Sequence, residues 1–164
     1  MAIDLAGVKT AFKNILDTAN TTTAAYPLST GMATTVQKVL KIDPAKIRPQ
    51  ASFFPFCTIY TDSKSVTLDS INTSQQIAKR TAEVSFNVVG AVWSPIITDI
   101  TEDQGSEEIE LLMENIEEIV RRNFKLSGTC LWTKPVSVSY GSVRFGTTDQ
   151  ARIGVMELQA RIQY

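Results

Sequence analysis

The sequence predicts an α+β fold: a four- or five-stranded, mostly antiparallel sheet with two main helices packed on one face. Between Ser106 and Phe124, Ile109, Leu112, Met113, Ile116, Ile119 and Val120 recur at three- and four-residue steps, which lines them up as one helical stripe. From Lys79 to Trp93, Ala82, Val84, Phe86 and Val88 share one side and Thr81, Glu83, Ser85 and Asn87 the other. From Arg152 to Tyr164, Met156, Leu158, Ala160, Ile162 and Tyr164 oppose Glu157, Gln159, Arg161 and Gln163. Such alternation belongs to antiparallel strands with one dry and one wet face, and the dry faces need helices to cover them.

The remaining elements follow in chain order. Ile3 to Thr18 reads as a first amphipathic helix with Leu5, Val8, Phe12, Ile15, Leu16 and Ala19 on one face, Asp4 as N-cap, and Gly7 weakening its first turn. Residues 20–31, NTTTAAYPLSTG, form a loop or an interface arm. Thr35 to Ile42 leans towards strand and is stopped by Asp43-Pro44. Phe56 to Thr61 is a strand that begins at Pro55, Asp62 to Ser65 has turn chemistry, and Val66 to Leu68 is a short return strand. In the second helix Ser106 is the N-cap, Glu107 and Glu108 oppose the positive end of the dipole, Arg121 and Arg122 oppose its negative end, and Gly128 lies just past the end. In the next strand Val136, Val138 and Tyr140 oppose Ser137 and Ser139, Gly141 is a candidate bulge, and Val143 and Phe145 continue beyond it. Gly146 to Gln150 is a polar turn. The closing strand, Arg152 to Tyr164, is expected in the middle of the sheet.

At 164 residues the chain is expected to form a single domain. The net charge of -1 argues against general nucleic-acid binding, but the charges are segregated. Nine of the seventeen acids fall between Asp99 and Glu118, a stretch without Lys or Arg, and both flanks are basic. Separated charges of both signs suit self-association, positive patch to negative patch. The N-terminus has no basic region followed by an apolar run, and no apolar run approaches the length of a membrane span, so the expectation is a soluble, intracellular chain without membrane contact. Cys57 and Cys130 fit no metal or redox spacing and are expected as buried free thiols.

Catalytic chemistry finds little support. There is no histidine, which removes the commonest general base and the best zinc ligand. Phosphate-binding glycine loops are missing, and Tyr140-Gly141-Ser142 lacks the spacing of a nucleophile elbow. Paired glutamates such as Glu110 and Glu114 lie on an exposed helix face, where nothing would perturb them for acid–base work. No enzyme activity and no cofactor or metal are expected.

The element order is the remaining signal. An N-terminal helix is followed by a Phe-Pro-led strand (FFPFCTIYTDS) and a long alternating strand opened by a basic pair (AKRTAEVSFNVVGAVWS). A Glu-rich helix (EEIELLMENIEEIVRRN) and a closing strand (ARIGVMELQARIQY) complete it. This resembles the tail terminator family of long-tailed bacteriophages and the wider group of small neck and head–tail completion proteins of the same fold. The resemblance implies a non-enzymatic subunit of a homohexameric ring. Such a ring caps the tail tube, stops its polymerisation and joins it to the head connector, with DNA passing through the lumen without specific binding. It places the chain in the virion, and in the host cytoplasm during assembly. The partners implied are further copies of the chain, the tail tube protein and a head-completion or connector protein. On this reading Glu110, Glu114, Glu117 and Glu118 face basic residues of a neighbour, with Arg121, Arg122, Arg144 and Arg152 as candidate counterparts. The loops Asp62 to Ser74 and Gly141 to Gln150 are candidates to reach the lumen or the tube. The alternatives are a neck or head-closure protein of the same fold, or a non-catalytic α+β binding module.

Overall fold

The computed structural model describes residues 3–21, 23–47, 50–68, 80–94, 104–145 and 149–163. Its elements are α1 (Leu5–Ala19), β1 (Lys38–Leu40), β2 (Phe56–Leu68), β3 (Arg80–Trp93), α2 (Gln104–Arg122), β4 (Trp132–Arg144) and β5 (Gln150–Gln163). The five strands form one sheet in the order β1-β2-β3-β5-β4. Among the described residues only the β1–β2 pair is parallel. Both helices cover the same face, so the chain is α+β as expected, and β5 lies inside the sheet between β3 and β4.

Asp4 caps α1, its carboxylate accepting from the Gly7 backbone N–H at 2.7 Å. A side chain at position 7 would run into that carboxylate, so Gly7 permits the cap as well as loosening the turn. Val8, Phe12 and Leu16 point from α1 into the core, where Ile109, Leu112, Met113, Ile116, Ile119 and Val120 of α2 meet them over the sheet. From the sheet come Cys57, Ile59, Val84, Phe86, Val88, Met156 and Leu158. Full burial of each large aliphatic side chain is worth about 1.5–3 kcal/mol before entropy is charged against it. Cys57 and Cys130 are both buried and free.

Several expectations are corrected. The helix read from Ser106 begins at Gln104, so Ser106 lies inside it and is not its N-cap. Gly128 does adopt a left-handed φ of 84°, but at the end of a short 3-10 turn after the helix, with Leu126 and Ser127 also at positive φ. Asp62 to Ser65 is not a turn: β2 runs through to Leu68 with a register slip at Asp62, and residues 66–68 continue the same strand. Turn-type residues there sit on an exposed strand end, where ladder pairing with β3 overrides local preference. The bulge in β4 falls at Val136, between the pairs Pro135–Leu158 and Ser137–Glu157, and Gly141 stays in register with Ile153. Val136 therefore leaves the side shared by Val138 and Tyr140. Residues 141–144 belong to β4, so they are strand and not loop. The parts of the predicted loops at 69–74 and 146–148 lie outside the described residues.

Residues 23–31 fold onto their own chain and do not project as an arm. Leu28 is fully buried, and Asn115 of α2 donates to the Leu28 and Thr30 carbonyls at 2.9 Å each. Tyr26 donates to the Asn115 side-chain carbonyl at 3.1 Å.

Candidate interaction surfaces

The helix-free sheet face has two chemically different ends. Ser85, Asn87, Glu157 and Gln159 make one end polar, with Ser85 donating to Glu157 at 3.2 Å and Asn87 to Tyr60 at 3.2 Å. The other end is apolar. There Phe54, Phe56, Ala91 and Ala151 form a second buried cluster, flanked by Ile47, Phe53, Trp93, Phe145 and Ile153. The Phe54 ring centroid lies 5.1 Å from Phe56 and 5.3 Å from Trp93, and Trp93 stacks on Phe145 at 6.3 Å. A cavity of about 370 Å³ opens beside these rings, with Asp43 and Tyr60 among the few polar residues lining it. The alternating stretches of the sequence mark only the polar end. The signals for the apolar end were the unbroken run from Val88 to Trp93 and the FFPF segment, because a strand dry on both faces loses its alternation.

On the helical face, α2 presents Glu107, Glu110 and Glu114 to the outside. Glu117 and Glu118 are satisfied within their own helix, by Arg121 at 2.6 Å and Arg122 at 2.7 Å. Exposed i,i+4 pairs of this kind contribute about 0.3–0.5 kcal/mol each and open readily. The Arg122 guanidinium also lies 4.7 Å from the Tyr26 ring, at a groove of about 510 Å³ between the helices. Glu110 and Glu114 have no ion pair among the described residues. Their neighbour is Tyr140 on β4, half exposed, whose phenol is pushed up by burial first and then by Glu110, Glu114 and Glu117.

The eight residues singled out in the sequence thus fall into separate groups. Arg121 and Arg122 sit at the C-terminal end of α2. Arg152 packs at the other end, its stem beside Gly105, about 25 Å away along a helix rising 1.5 Å per residue. Arg144 is exposed at the last position of β4. Glu110 and Glu114 form an acidic row beside the β4 edge without any of these arginines as an ion-pair partner.

Neither cysteine is set up as a nucleophile. Burial, then the nearby Asp17 charge, pushes the Cys57 thiol up to about 12. Burial also raises Cys130, against a weaker lowering by its contact with Thr129. Among the described residues no group of three His, Cys, Asp or Glu side chains is placed to hold a metal ion, and no helix is long and apolar enough to cross a membrane. The sequence matches no protein-family model and no curated protein.

Proposed function

We propose that this chain is a structural, non-enzymatic subunit of a phage neck, a tail terminator whose hexameric ring caps the tail tube, stops its growth and joins it to the head connector. The observation that carries the reading is the element order, helix, FFPF-led strand, long alternating strand, Glu-rich helix and closing strand, on which the resemblance to that family rests. The surfaces support it. An acidic helix face and an apolar sheet end lie on opposite sides of one sheet, which suits a subunit that touches like neighbours and a different partner at once. Its partners are further copies of itself, the tube protein and a head-side connector. It acts in the virion after assembly in the host cytoplasm.

Electron microscopy of particles made without this protein tests the reading. Overlong or headless tails are expected. Finished tails with leaking heads would reassign the chain to head closure in the same neck. A second reading, a non-catalytic binding module, is favoured only by the 370 Å³ apolar cavity. Saturable uptake of an apolar fluorescent probe there, by a chain whose absence leaves tails and heads normal, would favour the module.

A further inference from the structure

We infer that successive copies of this chain join edge to edge, the free edge of β4 in one copy against the free edge of β1 in the next, with α2 of the first beside α1 of the second. The inference rests on the ring reading and names the contact within it.

Among the described residues both ends of the sheet are open, since β4 and β1 each have one strand neighbour there. An edge strand directs every second N–H and C=O outward, and proteins usually blunt such edges with charge, proline or a bulge. β4 is blunted towards its two ends, by Lys134, Pro135 and the bulge at Val136 at one and by Arg144 at the other. From Ser137 to Val143 it carries no charged residue and no proline. Tyr140 is 51% exposed and Val143 40%, and they lie on opposite faces of that edge. A strand laid alongside would cover both.

Charge selects the occupant. The helical side of the β4 edge carries Glu110 and Glu114, both exposed on α2 where it packs against β4 and Tyr140. Two copies meeting β4 to β4 would bring these rows together, and like charges placed opposite one another disfavour the contact. The other edge has the opposite sign on the same face. Lys41 follows β1 and donates to Thr10 of α1 at 2.9 Å, which places its ammonium on the helical side, one residue along α1 from Lys9. When a sheet continues from one copy into the next, both keep their helices on the same face. Glu110 and Glu114 then meet Lys9 and Lys41 across the joint. A head-to-tail contact of this kind forms a ring when its rotation closes.

Charge reversal in pairs tests the contact. Glu110→Lys/Glu114→Lys makes both edges basic, and Lys9→Glu/Lys41→Glu makes both acidic. Each variant alone, with the circular dichroism and melting of the wild type, is expected to self-associate about a hundredfold more weakly in sedimentation. An equimolar mixture is expected to reassemble, with the two variants alternating in even-numbered assemblies by native mass spectrometry. If Lys9→Glu/Lys41→Glu alone assembles like the wild type, the edge contact is wrong while the ring reading stands. If the wild type stays monomeric up to about 1 mM, the contact is overturned whatever the tails of particles lacking the chain look like.

Discussion

Cys57 ties stability to pH through one buried side chain. Its thiol ionises near 9.0 when solvated and at about 12 in the fold, because burial and then Asp17 disfavour the thiolate. Below pH 9 both states hold the neutral thiol and its contribution is intact. Above it the unfolded chain releases its proton first, and the contribution is lost as pH rises through 12. The urea midpoint is therefore expected to fall across that window, less steeply for Cys57→Ala, and parallel falls would refute the assignment. Asn115 makes a second prediction at this scale. It is the hub of the 26–30 segment, and Asn115→Ala is expected to cost about 2–4 kcal/mol in urea unfolding by stripping two carbonyls of their donor. The cysteines were readable from their apolar neighbours in the sequence. Asn115 was not, because helical periodicity marks which face a residue is on and not which buried polar group finds a partner 85 residues away.

Gly90 and Gly154 sit directly opposite one another on β3 and β5 and form a flat seat beneath α2. A Cβ on Gly90 would stand 2.8 Å from the Met113 sulfur, and one on Gly154 would stand 2.9 Å from it, so the helix approaches closely only because both side chains are missing. Gly154→Ala is expected to destabilise by about 1–3 kcal/mol, the range for an overpacked core. Met113→Ala in the same chain should return part of that loss, so the double variant is less destabilised than the sum. Additive effects in a double-mutant cycle would place the strain elsewhere. The two helices and the strands at 80–93 and 150–163 were legible because each has one face in the core and keeps its period. The course of β2 beyond Asp62 and the bulge at Val136 were not, because they are fixed by pairing with distant strands whose register no local pattern encodes.

The net charge of -1 gives the whole molecule little long-range pull, so any self-association led by charge must act through local patches. Sequence segregation of acids and bases was visible at this scale, but their meaning changed on folding. Two of the four glutamates named for partners pair with Arg121 and Arg122 on the surface of their own helix, and the apolar end of the helix-free face emerged from residues spread over four strands. What is left for a neighbour is Glu110 and Glu114 at one edge and the Lys9 and Lys41 ammoniums at the other. Interactions between such exposed groups reach about 10 Å at 0.1 M salt and about 3 Å at 1 M. The native mass of the wild type at fixed concentration is therefore expected to fall as salt is raised from about 0.05 M to about 1 M, with apparent affinity dropping tenfold or more. The mixture of the two variants should share that dependence, since its joints alternate between the native charge pair and the same pair with signs exchanged. An assembly whose mass holds constant across the range would be held by apolar burial instead, and the Phe54, Trp93 and Phe145 cluster would then be the surface to mutate next.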